Sequence, residues 1–429
     1  MFKRFIKPAI ICMLCFLANN NLLKAQHFDT LLMSLKDVEK QFIDSNLLLL
    51  AANFNIDASA ALIEQAKLWD NPVLVTDQNI YSNGKFFEHS KDASTNAPLG
   101  QYFIQVQQLI KTAGKRGKLI NLATTNKKLA ELQFKDVLRN LKYQLRQTFF
   151  NLGYQIELKK VADYQSNQIN NLLNAQETQL KIGNISEKEY LRVKSLAESI
   201  KQDLSDLNKV IISAQSDLKS LLRINNTSFI EPNYQFTASD LKLLSIKDLV
   251  DSAKQINPSY QLQQTQIVYQ QQNLMYQKAL RVPDITVGPE YDLNSNYTPK
   301  YFGLSVSLPL PLFNKNQGNI KSATFNVKQQ EAITKNAEVE LYNDLFNALE
   351  KYKLSYAECN STQKEFYKKY NNMFQNVLNS YQQRQINLLD FLDFLDTYQT
   401  NQKRQFLQQF NFQMAKEDLN FQVGKDIIN

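Results

Sequence analysis

Histidine, cysteine, tryptophan and glycine are scarce in this 429-residue chain, and each scarcity closes off a class of chemistry. Two histidines (His27 and His89) and three cysteines (Cys12, Cys15 and Cys359) form no cluster with metal-ligand spacing. No Ser/His/Asp set can be built from them, and there is no G-x-G-x-x-G or phosphate loop. No enzyme activity, cofactor or metal is therefore expected. Cys359 is the one cysteine beyond the N-terminal leader, so an intrachain disulfide is excluded. Beyond that leader no stretch reads as a transmembrane helix by hydropathy.

The leader has a basic start, Met1-Phe2-Lys3-Arg4-Phe5-Ile6-Lys7, an apolar run over 9–18 and a polar end at Lys24-Ala25-Gln26. This is the layout of a secretory signal peptide spanning residues 1–25. Ten apolar residues are too few for a bilayer core of roughly 30 Å. Losing Lys3, Arg4, Lys7 and Lys24 lowers the formal charge from +8 to +4 (49 − 4 basic against 41 acidic residues). So small an excess points to no nucleic-acid partner.

What the chain does have is a copy of itself. Ser34-Leu35-Lys36-Asp37-Val38 returns as Ser245-Ile246-Lys247-Asp248-Leu249, and Asn46…Pro72 returns as Asn257…Pro283, 211 positions on. Gly117 and Gly318, Ile185 and Ile386, and Leu218 and Leu419 are 201 apart. Two halves of about 200 residues are far longer than solenoid repeats.

Few glycines and prolines leave long helices unbroken. Residues 118–181 contain Gly153 and no proline, and the counterpart 319–382 contains neither. At 1.5 Å per residue each is a rod of roughly 90–100 Å. Phe134, Leu138, Leu141, Leu145 and Leu152 recur at coiled-coil spacing, as do Ile200, Leu204, Leu207, Ile211, Ala214, Leu218 and Leu221. Gly183 ends the first rod and Ser186 caps the next helix; Asn387 caps in the second half. Shorter helices are expected over 187–222, 388–423 and 246–280.

Between the early helix and the rod, each half alternates with period two. Phe302, Leu304, Val306 and Leu308 alternate with Tyr301, Gly303, Ser305 and Ser307. Ile285, Val287 and Tyr291 alternate with Thr286, Gly288 and Glu290, and Tyr102, Ile104 and Val106 with Phe103, Gln105 and Gln107. The weakest segment begins at Val73, where Asp77 interrupts the apolar phase. Strands of about ten residues can cross a membrane at a tilt. Four strands cannot close a barrel, and an open edge has no place in lipid, so several chains must share one barrel. Trp69 is a candidate for one aromatic belt, and Tyr81, Tyr291, Tyr297 and Tyr301 for the opposite girdle.

The order and duplication of these motifs resemble the TolC-like outer membrane efflux family over essentially the whole chain after the leader. The carrying residues are the two helix starts, Pro72 and Pro283, Leu109…Gly114-Lys115-Arg116, and Leu308-Pro309-Leu310-Pro311-Leu312-Phe313…Gly318. Gly183 with Ser186, and Tyr381…Ile386-Asn387-Leu388-Leu389-Asp390-Phe391-Leu392-Asp393, complete the set. The resemblance implies a mainly α fold with a small transmembrane β part. Long coiled-coil-like helices would form an α-barrel continuous with a trimeric twelve-stranded β-barrel, four strands per chain. It further implies a homotrimer in outer membrane lipid with its helices in the periplasm, working with a periplasmic adaptor and an inner-membrane transporter.

On this reading, residues 26–222 are the first repeat, with strands at about 72–83 and 100–110 and a tip near 183. Residues 223–244 are a linker. Residues 245–429 are the second repeat, with strands at about 283–293 and 300–311 and a tip near 385. The resemblance assigns Asp390, Asp393 and, at the first-half position matching Asp390, Glu189 to an acidic periplasmic entrance. Lys181, Gly183, Ser186, Arg384 and Asn387 are the candidate adaptor contacts. Arg384 stands where the family usually has glycine, so a different turn geometry or a different adaptor contact is expected there. The expected function is a passive outer membrane channel of a tripartite efflux or secretion system. The alternative is a periplasmic coiled-coil scaffold or adaptor that never enters lipid.

Overall fold

A computed structural model describes residues 29–82, 84–225, 227–234, 241–360 and 363–428; the expected signal peptide lies outside them. The first half runs β1 (Thr30–Met33), α1 (Leu35–Ser45), α2 (Leu47–Lys67), β2 (Val73–Gln78), β3 (Tyr81–Ser82), β4 (Lys85–Phe86), β5 (Tyr102–Ile110), α3 (Lys115–Lys181) and α4 (Glu187–Leu222). After β6 (Phe229–Pro232), the second half runs α5 (Ile246–Ile256), α6 (Pro258–Leu280), β7 (Ile285–Asn294), β8 (Pro299–Ser307), α7 (Gln317–Asn360), α8 (Gln363–Gln382) and α9 (Leu388–Val423).

The helix foreseen over 246–280 is two, α5 and α6, because Asn257 stops one and starts the other. Its side chain accepts from the Tyr260 N–H at 3.2 Å, and Pro258 needs no donor at the first helical position. Its repeat partner Asn46 divides α1 from α2 in the same way, accepting from the Leu48 and Leu49 N–H groups.

The chain forms two compact units. Of the described residues, the first takes in those within 29–45, 145–237 and 365–410. Parts of α3, α4, α8 and α9 here share one core built from Ile169, Leu172, Val193, Ile200, Phe374, Leu378, Phe391 and Leu395. The seam expected along α4 is buried at Ile200, Ile211, Ala214 and Leu218. The segment 223–244, expected as a linker, contains β6, which pairs in parallel with β1. Gln215 clamps that strand, donating to the Ile230 carbonyl at 2.6 Å and accepting from its N–H at 3.0 Å. Tyr234 then lies against Phe149 and Phe150 and over Gly153, where a Cβ would sit 2.3 Å from its ring. The glycine in the rod is thus a seat for an aromatic from the middle of the chain.

The second unit comprises residues 46–144, 238–364 and 411–429. It holds a fully antiparallel sheet in the order β2-β5-β7-β8. The register puts Leu74, Val106 and Leu304 on one face with Ile104, Tyr291 and Phe302, and most of these side chains are exposed. The other face carries Gln105, Gln107, Gly288, Glu290, Ser305 and Gly303. Gln105 donates to Glu290 at 2.7 Å and accepts from Gln107 at 2.5 Å. Asp77 pairs with Phe103 in the row of Asp292 and so belongs to the polar face; Val73 and Val75 are the residues out of phase. β2 and β8 each keep a free edge.

One expectation is corrected here. α2 is long and apolar enough to cross a membrane by length and composition (mean hydropathy 1.4), although the sequence beyond the leader was read as having no such segment. Leu47, Leu48, Leu50, Phe54 and Leu62 are exposed along it.

The strand–helix junctions of the two halves are locked together. Lys115 is buried and donates to Asp284 Oδ1 at 2.6 Å and to the Val282 carbonyl at 2.5 Å. The Thr112 N–H donates to the same carboxylate at 2.8 Å, and its hydroxyl to the Pro283 carbonyl at 2.6 Å. Burial works against the charge on Asp284, but the donors outweigh it and hold the carboxyl below its usual value.

Two outcomes are expected. Gly153→Ala should lower stability by about 1–3 kcal/mol through overpacking, and adding Tyr234→Ala should remove most of that increment in a double-mutant cycle of thermal melts. A depressed folded pKa means the Asp284 contribution is fully present above the unfolded carboxylate value of about 4 and fades as pH falls through the folded value. Melting in detergent across that range should show Asp284→Asn with a shallower acid loss than the parent chain.

Candidate functional site

At the C-terminal ends of α3 and α8 in the first unit the chain turns through the same hydrogen-bonded loop. At the first turn the Asn184 N–H donates to the Gln179 carbonyl at 2.9 Å and the Gly183 N–H to the Leu180 carbonyl at 3.0 Å. At the second the Gln385 N–H donates to the Ser380 carbonyl at 2.8 Å and the Arg384 N–H to the Tyr381 carbonyl at 2.9 Å. Both are Schellman closures, with Gly183 at φ 75° and Arg384 at φ 58°. Of the two differences expected at Arg384, the one in turn geometry is therefore not found. Arginine adopts the left-handed conformation that glycine takes freely, at a cost of about 1–2 kcal/mol. Its guanidinium reaches the Asn184 carbonyl of the other turn at 3.4 Å.

The caps repeat as well. Ser186 Oγ accepts from the Glu189 N–H at 3.2 Å, and Asn387 Oδ1 from the Asp390 N–H at 3.0 Å. Glu189 and Asp390 thus sit in the first turns of α4 and α9, where the helix dipole favours a carboxylate. Lys181, at the end of α3, is exposed and pairs with Glu177 at 2.9 Å. Gly183 has open space where a Cβ would stand, so its positive φ is what calls for glycine.

Beyond the caps the two halves part. Tyr381 donates to Glu189 Oε1 at 2.7 Å and accepts from Gln176 Nε2 at 2.6 Å, with its ring stacked on Phe391 at 4.8 Å. Burial, followed by the adjacent Glu189 carboxylate, pushes the Tyr381 phenol well above its ordinary value, so it stays a donor at any physiological pH. In the first half the matching position is Leu180, which has no such hydroxyl. Glu189 is accordingly half-buried and bonded, whereas Asp390 and Asp393 are exposed on one stripe of α9. The three residues assigned to one acidic entrance therefore occupy two settings within a single chain.

The two turns enclose a cleft of about 920 Å³ lined by Gln176, Glu189, Arg192, Tyr381, Arg384 and Asn387, among others. It gathers Glu189, Ser186, Arg384 and Asn387 of the sequence-assigned residues, and leaves Lys181, Gly183, Asp390 and Asp393 outside its lining. Gln176 was not singled out from sequence, and Tyr381 was read only as part of a tip motif. The available signal was the replacement of Leu180 by a tyrosine at the repeat position. Among the described residues no group of three or more His, Cys, Asp or Glu side chains could hold a metal ion.

Tyr381→Phe keeps the stack and removes both hydrogen bonds. It is expected to cost about 1–2 kcal/mol and to raise amide exchange around Gln176 and Glu189 while leaving the Gln215–Ile230 clamp unchanged.

The family model described as outer membrane efflux protein matches residues 39–222 and 249–425, both halves of the repeat. The cobalt-zinc-cadmium resistance protein CzcC of Cupriavidus metallidurans is 24% identical over 281 residues; the match spans 65% of this chain and 63% of that protein's length. Among solved structures, CusC superposes with a TM-score of 0.73 at 15% identity, covering 91% of this chain and 92% of its own. The outer membrane protein VceC of Vibrio cholerae gives 0.71 at 14% identity, with 91% and 96% covered.

Proposed function

The chain belongs to the outer membrane efflux protein family, and we propose that it is the outer membrane channel of a tripartite efflux system. It is a passive conduit, not an enzyme, with its helical part in the periplasm. One observation carries the reading. The four-stranded sheet exposes Phe302, Leu304, Val306, Leu74 and Val106 on one face, bonds Gln105 to Glu290 on the other, and leaves one edge each of β2 and β8 without a partner strand. An apolar face and a polar face suit lipid outside and water inside, and the free edges call for other copies.

The strands run antiparallel throughout, so β2 of one copy can add to β8 of the next without changing the pattern. Three copies make twelve strands. β2 follows α2, so its exposed apolar side is carried to the same boundary between copies. A soluble scaffold would have no use for this sheet.

The turn residues Lys181, Gly183, Ser186, Arg384 and Asn387 are the proposed contact for a periplasmic adaptor, which couples the duct to an inner-membrane transporter. Asp390 and Asp393 from three copies are proposed to converge near the axis, where rings of carboxylates admit cations and resist anions. Glu189, held by Tyr381, is a less free member of that set. CzcC is named for resistance to cobalt, zinc and cadmium, and divalent cations are a cargo that such an entrance accommodates.

Two measurements bear on this. The mature chain should require detergent and elute as a trimer; a monomer in plain buffer would leave the scaffold reading in its place. In planar bilayers, Asp390→Ala/Asp393→Ala channels should conduct differently and lose cation preference, and unchanged conductance and selectivity would remove the acidic entrance.

A further inference from the structure

We infer that the hairpin β3–β4 is an intersubunit clasp that packs on the β7–β8 turn of a second copy of this chain, an inference that rests on the shared barrel proposed above. The hairpin pairs Tyr81 with Phe86 and Ser82 with Lys85, and the Phe87 N–H closes it on the Ile80 carbonyl at 2.8 Å. Its base is well held. Asn79 donates to Ser82 Oγ at 3.1 Å and to the Glu88 carbonyl at 3.3 Å, and its Oδ1 accepts from the Gln101 N–H at 2.6 Å. Glu88 is buried, accepts from the Ser90 N–H at 2.7 Å and pairs with Lys85 at 3.4 Å.

This anchored platform turns its apolar side chains outward. Ile80, Tyr81, Phe86 and Phe87 are 65%, 60%, 72% and 59% exposed, and the rings of Tyr81 and Phe86 meet edge to face at 5.0 Å. Phe87 holds φ at 50°, a left-handed conformation disfavoured for a bulky residue. Four neighbouring exposed apolar side chains on a fixed base mark a contact surface rather than a solvated loop tip.

The occupant follows from position in the sheet. The hairpin continues β2, a free edge, with only Asn79 and Ile80 between the two strands. At the other free edge the β7–β8 turn presents Tyr297, 86% exposed, with its ring 5.7 Å from that of Tyr301. The row Asp77–Phe103–Asp292–Tyr301 brings the end of β2 and the start of β8 to the same end of the sheet. Within one chain these two edges are three strand spacings apart, about 14 Å. When β2 of one copy joins β8 of the next, that gap closes and the aromatic hairpin stands beside the neighbour's Tyr297 and Tyr301.

The test uses the full mature chain in detergent with Cys359→Ser, carrying Phe86→Cys and Tyr297→Cys, and a short bis-maleimide reagent. The clasp is supported if covalent dimers and trimers appear on denaturing gels, if either single-cysteine chain yields only monomer, and if Tyr81→Ser/Phe86→Ser loses trimer resistance to SDS. Light scattering on the same sample separates the two levels of the argument. A trimeric mass without intermolecular crosslinks overturns the clasp and leaves the barrel; if brominated lipid then quenches a Phe86→Trp reporter, the patch belongs to the membrane. A monomeric mass removes the barrel and the clasp together.

Discussion

Backbone hydrogen bonding at the free edges of β2 and β8 is the constraint on which the rest of this molecule turns. Each unpaired N–H or C=O costs several kcal/mol in hydrocarbon, far more than any single side-chain contact supplies, so the sheet is complete only as part of a larger cylinder. On the proposed closure, the exposed Phe302, Leu304 and Val306 would meet lipid and the bonded Gln105–Glu290 pair water. The buried Lys115 with its two partners, Asp284 and the Val282 carbonyl, then becomes intelligible as a rivet where the sheet gives way to helix. A charge buried there is tolerated because it is paired with a carboxylate and bonded to a carbonyl.

Duplication explains the economy of the chain. Asn46 and Asn257 perform one helix break twice, Ser186 and Asn387 one cap twice, and Gly183 and Arg384 one turn twice. Departures from the repeat are more telling than its persistence. Arg384 accepts an unfavourable backbone conformation while its guanidinium reaches the other turn. Tyr381 replaces the matching Leu180 and binds Glu189 and Gln176. Both changes tie the second turn to the first, giving the tip cross-links that two independent hairpins would lack.

The same inequality distinguishes the carboxylates. Glu189 and Asp390 are related by the repeat and both lie at helix N-termini, yet one is engaged by a phenol and the other faces solvent. In the proposed channel entrance, Asp390 and Asp393 would be the carboxylates left to meet passing ions. Glu189 is committed to holding two helices together.

Periodicity and local chemistry were legible without coordinates: the twofold repeat, the first rod, the strand alternation, the turn at Gly183 and the caps at Ser186 and Asn387. Apart from the repeat, which the sequence shows against itself, each depends on residues within a few positions of one another, where the steric preferences of the backbone act directly. Tertiary structure alone decided which face Asp77 joins, that Gly153 receives the ring of Tyr234, that the 223–244 segment pairs with the start of the chain, and that Lys115 meets Asp284. It also decided that Tyr381 meets Glu189, across a separation of 192 residues. Such contacts arise from the register in which distant segments pack, and a pattern of spacings along one strand or helix carries no information about its partner.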